Sequence, residues 1–381
     1  MLQYLSQEDQ KWVQETLQKV TEKMEIVRER AQKKIPFTSK NGVYDDHSGE
    51  KEINWWTNGF WGGMMWQLYQ KTEDPRYMEI ARYSEEALDQ RFEQFMGLHH
   101  DVGFMWMPTA VADYRKTGNP DGRRRGLHAA TLLAGRFNPV GRFIRAWNDE
   151  WHGHVNTGWA IIDCMMNLSL LYWASDELDD PRFRQIAMMH ADTALEHFIR
   201  PDGSANHIVE FDPETGIETA TYGGQGYENG SSWTRGQSWA IYGFMISYRH
   251  TGKQEYLDAA KRVAHYFISN IPENGLIPID FRMPKEPYYE DSTAAAIAAC
   301  GLIEIARFAD DLQRPLYLGA ALRLLHALSA SRCDWDPERD GILEKCSSSY
   351  AEETHEYNII YGDYYFLEAL LKLIDNDLWV W

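Results

Sequence analysis

One aspartate in an apolar segment, Asp163, is the best candidate for acid–base chemistry in this chain of 381 residues. Asn156 or Thr157 could cap a helix here. The four-residue spacing of Trp159, Asp163 and Asn167 then predicts that all three lie on one face of that helix. A charged carboxylate beside Ile, Cys and Met is costly unless it is paired or protonated. Such burial raises a carboxyl pKa, as a general acid near neutral pH requires. The structural alternative is a buried Asp that bonds a backbone group or an arginine.

A second polar cluster is formed by His99, His100 and Asp101. Imidazole and carboxylate groups bind metals, and His152 and His154 could add ligands. The spacing matches no recognised metal motif, so we predict no metal. We interpret Asp101 as a carboxylate that works beside a second carboxylate; the alternative is an Asp that caps a loop.

A third segment, 231–243, combines Arg235 with Trp233 and Trp239. Arg235 and Trp239 are one helical turn apart and are expected to share a surface. A planar guanidinium matches a carboxylate, and indole faces suit sugar rings. The net charge is -19, so an anionic substrate would need such a local cation. The glycines around Gln225 predict a tight turn or mobile loop. A surface arginine with two core tryptophans is the alternative.

Aromatic residues make up 13% of the chain, including 15 Trp and 21 Tyr. Most of them are expected to fill the core. Segment 54–66, which contains Trp56, is so rich in Trp and Gly that it predicts the start of a close-packed inner helix. At least one of its indoles could face the mouth of a site.

Helical periodicity dominates and indicates an all-α fold. Apolar residues recur on one face over 77–88, 182–198 and 256–267, which predicts half-exposed helices. Segment 292–306 is apolar on nearly all sides, so it is expected to be fully buried.

Similar turns recur along the chain and indicate repeated helical hairpins. Asp74, Asn119 and Asp180 each precede a proline, which favours the start of a helix, and related turns follow Thr251 and Leu312.

Alternating buried and half-exposed helices, repeated about six times, predict an (α/α)6 barrel. No Pro-, Gly- or Ser-rich linker divides the chain, so we predict one domain over residues 1–381. Short strands are expected around 205–222 and 336–346.

Charge and composition exclude some classes of partner. The acidic balance argues against nucleic acid or an anionic membrane surface. We find neither a signal peptide at the start nor an apolar run of membrane-spanning length. The four cysteines lack metal-ligand spacing and are typical of reduced thiols in a cytoplasm.

Seven segments together resemble unsaturated glucuronyl hydrolases, glycoside hydrolase family 88. They occur in family order from about residue 50 to the C-terminus. They are WWTNGFWGG from residue 55, HHDVGF from 99, IIDCMMNL from 161, HIVEFDPETG from 207, GGQGYENGSSWTRGQSWAIYGF from 223, DSTAAAIAACGLIEIA from 291 and IYGDYYFLEALL from 360.

The resemblance implies an (α/α)6 barrel that hydrates a vinyl ether, an exception to the usual two-carboxylate glycosidase scheme. Asp163 matches the family residue that protonates C4 of a 4,5-unsaturated uronate and activates water for attack at C5. Asp101 matches the second carboxylate, which positions the substrate. The implied substrates are unsaturated uronate-terminated di- and oligosaccharides, and no cofactor is implied.

The resemblance also implies a set of substrate-binding residues, with Arg235 as the partner of the uronate carboxylate or a nearby sulfate. These residues are Trp56, His100, Trp147, His207, Gln225, Trp233, Arg235 and Trp239. Relatives specialised for sulfated glycosaminoglycans carry a serine-and-lysine motif near the C-terminus. Here no lysine follows the serines of segment 345–354, so a preference for sulfate is not implied.

Three other functions compete with this reading. An unsaturated rhamnogalacturonyl hydrolase would apply related chemistry to pectin fragments. A sugar epimerase on the same barrel would depend on His207 more than on Asp163. A carbohydrate-binding barrel would hold an unsaturated disaccharide without consuming its double bond.

Overall fold

Helices account for most of the chain. The computed structural model describes residues 1–92, 97–148, 153 and 155–381. In chain order the α-helices are Gln7–Ala31 (α1), Phe60–Thr72 (α2), Pro75–Ala87 (α3), Val102–Trp106 (α4), Ala112–Thr117 (α5), Pro120–Ala134 (α6), Cys164–Leu178 (α7), Pro181–His197 (α8), Thr234–Thr251 (α9), Gln254–Ser269 (α10), Ser292–Phe308 (α11), Arg314–Ser331 (α12) and Ile360–Leu373 (α13). Short 3-10 turns occupy Leu2–Tyr4, Trp56–Gly59 and Leu88–Arg91, and a π-helical turn, Met107–Val111, joins α4 to α5.

The helices form two concentric rings. Each helix of the inner ring contacts the next one in the order α2, α4–α5, α7, α9, α11 and α13. The ring is closed because α13 also contacts α2. Helices α3, α6, α8, α10 and α12 pack outside it, and α1 completes the outer ring against α13. The chain therefore folds as the predicted (α/α)6 barrel.

Burial separates the two kinds of helix as the hydrophobic patterns predict. Every residue of 292–306 is buried in α11. In α10, by contrast, the buried residues lie on one face, which includes Tyr256, Ala260, Val263 and Phe267. No helix in the described ranges is long and apolar enough to cross a membrane.

Three of the five predicted turns start a helix with a side-chain cap. Asp74, Asn119 and Asp180 each accept a hydrogen bond from the backbone amide two residues later, and proline follows each of them. The turns before α10 and α12 lack such a cap, since Lys253 and Gln313 occupy the capping positions.

In the part of the chain that the structure describes, seven short strands lie in the connections between helices. They are Ser39–Lys40 (β1), Val43–Tyr44 (β2), Phe137–Asn138 (β3), Phe143–Ile144 (β4), Trp159–Ile161 (β5), Ile208–Phe211 (β6) and Glu218–Tyr222 (β7). β5, β6 and β7 form an antiparallel sheet. The strands predicted around 205–222 are confirmed. The one around 336–346 was wrong, because this described segment forms only isolated bridges, one between Cys333 and Leu343 and one between Cys346 and Tyr357.

The prediction that a helix runs from residue 157 was also wrong. Trp159 lies in β5, where it pairs with Glu210 of β6, so α7 starts only at Cys164. Pairing with a neighbouring strand overrides the local helical spacing. Asp163 and Asn167 keep their predicted relation, because the first precedes α7 and the second lies one turn into it.

Aromatic side chains fill the inside of the ring. Trp381 is fully buried, stacks 6.0 Å from Tyr365 and meets the ring of Phe104 edge-on at 5.9 Å. Its indole N–H donates a 2.9 Å hydrogen bond to Glu368. Inner helices and the C-terminal residues therefore share one aromatic core.

A glycine allows α4 and α7 to approach each other closely. A Cβ at Gly103 would lie 2.5 Å from Oδ1 and 2.7 Å from Cα of Asn167, both too short for real contacts. The backbone N–H of Phe104 uses this proximity to donate a 2.8 Å hydrogen bond to Oδ1 of Asn167. The absence of a side chain at Gly103 thus sets the distance between two inner helices.

We expect Gly103→Ala to lower the free energy of unfolding by about 2 kcal/mol, because the added methyl overpacks this contact. Denaturant unfolding measures the change. Gly319→Ala is the matched control, since Gly319 is exposed in α12 with nothing within 4 Å of the added Cβ. That control should be neutral or stabilising by up to about 1 kcal/mol. Equal effects of the two substitutions would contradict the steric argument.

Candidate active site

A cavity of about 710 Å³ opens at the end of the barrel where inner helices begin. Trp56 leads into α2, Asp101 and Asp163 immediately precede α4 and α7, and Arg235 lies in the first turn of α9. The volume is within the range of roughly 300–1,000 Å³ that is usual for small-molecule sites. The lining residues are Asn54, Trp55, Trp56, Gly97, His99, His100, Asp101, Trp147, Asn148, Asp163, Gly224, Gln225, Arg235, Ser349, Ala351 and Glu352.

Asp163 presents a protonated carboxyl group to this cavity. It caps no backbone amide of α7, and 15% of its side chain is exposed. Burial, followed by the negative charge of Asp101, raises the pKa of Asp163 to about 8, and the charge of Arg235 offsets only part of this. The group is therefore mostly protonated at neutral pH and able to donate a proton.

Asp101 has the opposite protonation state. Its Oδ2 lies 3.3 Å from Nδ1 of His99 and 3.4 Å from Nε2 of His100, and its Oδ1 accepts a 3.2 Å hydrogen bond from Asn167. Burial raises the pKa of Asp101, but the charges and hydrogen bonds of the two histidines outweigh it and hold the pKa well below its usual range. Asp101 is therefore ionised at the pH at which Asp163 is protonated.

Asn167 connects the two aspartates. Besides its bond to Asp101, Nδ2 lies 3.3 Å from the backbone carbonyl oxygen of Asp163, to which it donates. Its Oδ1 is held by the backbone of Phe104. The fully buried amide thus fixes the ends of α4 and α7 relative to each other, and the carboxyl groups with them.

His207 contacts Asp163 from the sheet. Its Nε2 lies 3.6 Å from Oδ2 of Asp163, and its Nδ1 is 3.0 Å from the backbone N of Gln225 and 3.2 Å from the carbonyl oxygen of Gly223. Because a backbone N–H can only donate, Nδ1 accepts and the ring proton is on Nε2, facing Asp163. Burial lowers the pKa of His207 to about 3, so the ring is neutral. Only glycine fits at Gly224, where φ is +59° and a Cβ would lie 2.0 Å from Nδ1.

Arg235 is a buried cation at the floor of the cavity, and the alternative of a surface arginine is wrong. Its side chain is 1% exposed, and Nη1 donates to Asp291 at 3.0 Å. Nη1 also donates to the carbonyl oxygen of Ser347 at 2.6 Å, and Nη2 to that of Ser348. The guanidinium carbon lies 4.5 Å from the centre of the Trp233 ring. Arg235 therefore holds a neighbouring loop in addition to lining the cavity.

That loop, residues 345–357, forms one wall of the cavity. Gln225 supports it as well, because its Nε2 donates a 2.7 Å hydrogen bond to the carbonyl oxygen of Ser348. In return, the backbone N–H of Tyr350 donates to the carbonyl oxygen of Gln225 at 2.9 Å. Gln225 is thus both a lining residue and a structural link, and its glycine-rich surroundings form the predicted tight turn.

Two of the predicted tryptophans line the cavity. The ring centre of Trp56 is 5.3 Å from that of Phe104 and 5.0 Å from that of Tyr361. The ring centre of Trp147 is 6.1 Å from that of Trp159. Both indoles are supported from behind by other rings and can offer a face to a sugar.

Three predicted substrate-binding residues lie behind the lining. They are His207, Trp233 and Trp239. Trp233 packs 4.2 Å from the His207 ring, and Trp239 is fully buried 5.1 Å from the ring of Phe104. The expectation that Arg235 and Trp239 share a surface was wrong, because Arg235 reaches the cavity whereas Trp239 turns into the aromatic core.

Among the described residues, one group has the donors for a metal ion. His99, His100 and Asp101 each offer an atom within 4.8 Å of the others. The same atoms serve as hydrogen-bonding partners around the carboxylate of Asp101. His152 and His154, which we considered as further ligands, lie outside the described residues.

Sequence reasoning did not identify the rim of the cavity. Trp55, Asn148 and Glu352 line it without having been predicted. Trp55 occurs in the Trp-rich segment, which was a usable signal. Glu352 follows three serines in an irregular loop, and nothing in its spacing indicates a site.

The comparisons with known proteins agree on one family. The family model Glycosyl Hydrolase Family 88 matches residues 23–368. The unsaturated glucuronyl hydrolase of Bacillus sp. strain GL1 is 39% identical over 327 residues, which cover 84% of this chain and 86% of that protein. The unsaturated chondroitin disaccharide hydrolase of Streptococcus pyogenes serotype M1 is 34% identical over 332 residues, or 85% of this chain and 83% of that protein.

A solved structure supports the same assignment. The crystal structure of the Bacillus sp. GL1 unsaturated glucuronyl hydrolase, described as responsible for the degradation of glycosaminoglycan, superposes with a TM-score of 0.87 at 35% identity. The superposition covers 95% of this chain and 96% of that one. The chain belongs to glycosyl hydrolase family 88 and is a glycoside hydrolase.

Proposed function

We propose that this enzyme removes 4,5-unsaturated glucuronate from the non-reducing end of lyase-generated, glycosaminoglycan-type oligosaccharides. The observation that carries the proposal is the pair of carboxyl groups in one cavity, Asp163 protonated and Asp101 ionised near neutral pH. Such a pair divides the roles of acid and charge stabiliser between two residues. The named activities of the Bacillus and Streptococcus relatives support the substrate class.

In this reaction Asp163 transfers its proton to C4 of the C4=C5 double bond. Positive charge develops on C5 and the ring oxygen, and the Asp163 carboxylate then accepts a proton from the water that attacks C5. The product is a hemiketal at C5. Its ring opens to a 4-deoxy-5-keto uronate, and the hemiacetal left at C1 releases the aglycone. One water molecule is consumed, and Asp163 regains its proton.

Two neighbours favour this proton transfer. The negative charge of Asp101 keeps Asp163 protonated before the reaction and stabilises the positive charge that develops on C5. The Nε2–H of His207 faces Asp163 and can donate to its carboxylate once the proton has left. Because Asn167 holds Asp101 and the Asp163 backbone, these groups need little rearrangement during the reaction.

Substrate recognition uses the lining around this pair. We assign the ring faces to Trp56 and Trp147, and the polar contacts to His100, Gln225 and Arg235, all of which line the cavity. His207, Trp233 and Trp239 contribute from behind, by holding Asp163, Arg235 and the aromatic core. An epimerase based on His207 is disfavoured, because burial lowers the pKa of the ring to about 3, which makes it a weak base, and its Nδ1 is occupied by a backbone amide.

We place the reaction in the cytoplasm. All four cysteines are free thiols, and three of them are buried. Reduced cysteines are usual in that compartment.

The direct test follows the ultraviolet absorbance of the conjugated double bond during incubation with unsaturated chondroitin, hyaluronan and heparin disaccharides. We expect the absorbance to fall and a 5-keto uronate to accumulate. Unchanged absorbance with all of these, together with turnover of unsaturated rhamnogalacturonan fragments, would reassign the chain to the pectin-type activity.

Asp163→Asn should lower kcat by at least about 10³-fold, because it removes the proton donor while keeping the shape of the side chain. The thermal unfolding midpoint should not fall, since Asp163 caps no helix. The absorbance assay and a melting curve measure the two effects. A kcat close to that of the wild type would remove Asp163 from the mechanism.

The pH profile reports the same residue. The pKa of Asp163 is about 8, so kcat/KM should fall as the pH rises above about 8 and the acid loses its proton. In Asp101→Asn the neighbouring negative charge is removed, ionisation of Asp163 becomes easier, and the alkaline limb of the residual activity should move to lower pH. An alkaline limb that stays in place would show that Asp101 does not act on Asp163.

Arg235→Ala should raise KM by about tenfold, because the loop that contains Ser347 and Ser348 loses its anchor together with the local cation. It should also lower the free energy of unfolding by about 3 kcal/mol, since Asp291 is left buried without its partner. The double variant Arg235→Ala/Asp291→Asn is the control for stability. It should recover part of the lost stability without recovering KM.

A further inference from the structure

Two backbone segments meet at one side of the cavity. The wall segment, residues 145–148, follows β4 and contributes Trp147 and Asn148 to the lining. The Asp101 turn, residues 98–101, precedes α4 and contributes its two histidines and Asp101 itself. The contacts that join these two segments therefore bear on the position of the Asp101 carboxylate.

Arg136 lies behind the wall segment and binds it at three points. This half-buried residue precedes β3. Its Nε donates to the carbonyl oxygen of Arg145 at 2.8 Å, and its Nη2 to that of Ala146 at 2.9 Å. Its Nη1 donates to Oδ1 of Asn148 at 2.5 Å. A planar guanidinium has enough donors, in fixed directions, to hold all three acceptors at once.

Two of these three acceptors also bind the Asp101 turn. The carbonyl oxygen of Ala146 accepts a second hydrogen bond, at 3.2 Å, from the backbone N–H of His100. The side-chain amide of Asn148, which accepts from Arg136, donates from Nδ2 to the carbonyl oxygen of Leu98 at 2.7 Å. Arg136 is thus connected to the turn through two separate bridges, one of which ends on the residue next to Asp101.

Arg136 is a cation without an ion-pair partner in the described part of the chain. Both it and the adjacent Arg145 donate to carbonyl and amide oxygens instead. Burial, followed by the charge of Arg145, lowers the pKa of Arg136 to about 10, and the negative charge of Asp101 opposes this. Arg136 is still charged at neutral pH, so its charge and the ionised form of Asp101 favour each other.

We propose that Arg136 is a positioning residue of the reaction: its guanidinium fork binds the wall segment and the Asp101 turn together and thereby sets the orientation of the Asp101 carboxylate. This inference rests on the proposed function. The observation that carries it is the carbonyl oxygen of Ala146, which Arg136 and the backbone of His100 share. Orientation matters because a displacement of about 1 Å in a site can lower the rate by roughly 10²-fold.

The first test measures kcat of Arg136→Lys and Arg136→Gln by the absorbance assay, with the unsaturated disaccharide that the wild type turns over fastest. Both variants should lose about tenfold or more, because lysine keeps the charge but not the planar fork. Arg142→Lys and Arg142→Gln are the matched controls. Arg142 lies in the same hairpin, has a side chain that is 54% exposed and does not line the cavity, so its kcat should stay within about twofold of the wild type.

A double-mutant cycle with Asp101→Asn tests whether Arg136 acts through Asp101. In the Asp101→Asn background, Arg136→Gln should change the residual kcat by less than about threefold, because the carboxylate that it orients is already gone. A merely structural role would lower kcat by the same factor in both backgrounds. Arg136→Lys, which keeps the charge and most of the volume, replaces Arg136→Gln in the cycle if the latter does not fold.

The outcomes separate this inference from the proposed function. If the wild type turns over none of the unsaturated disaccharides, the function and this inference fail together. If the wild type is active but the Arg136 variants match the Arg142 controls, or if their loss is equal in both Asp101 backgrounds, the positioning role is wrong while the hydrolase activity stands.

Discussion

The hydrogen bonds of one buried amide determine the geometry of this site. Asn167 donates to a carboxylate oxygen of Asp101 and to the backbone of Asp163, and it accepts from the backbone of Phe104. These bonds are possible only because Gly103 lets α4 and α7 approach. The ends of two inner helices are thereby fixed, and each end carries one carboxyl group. Preorganisation of this kind means that the groups need not move when charge develops on the substrate.

Burial has opposite outcomes for the two carboxyl groups because their partners differ. Asp101 is surrounded by donors, two imidazoles and an amide, which stabilise its charged form. Asp163 has one neutral imidazole at 3.6 Å and faces the charge of Asp101, so its protonated form is favoured. The difference in pKa therefore arises from the arrangement of neighbours.

The sequence predicted the barrel well, because the distribution of apolar residues around a helix is a local pattern. Inner helices such as α11 are apolar on all sides, whereas outer helices such as α10 are apolar on one face. It also placed Asp101, Asp163 and Arg235 near one another through the family motifs. It failed where distant segments decide the outcome. Strand pairing with Glu210 takes Trp159 out of the expected helix. The loop of Glu352 reaches the cavity because Arg235 and Gln225 bind its backbone. Asp291, the partner of Arg235, begins one of the family motifs but was not predicted to belong to the site.

The charges of the site also explain how an acidic chain can act on an acidic substrate. Arg235 is neutralised largely by Asp291, so a uronate that enters brings an uncompensated negative charge close to Asp163. That charge disfavours ionisation of Asp163 and should raise its pKa above about 8. Binding of the anion and protonation of the acid then support each other, since each favours the other by the same free energy. A stronger cation at the floor would tighten binding but would also ionise Asp163. In the proposed reaction, the weak, shared charge of Arg235 is therefore the arrangement that would allow both binding and proton transfer.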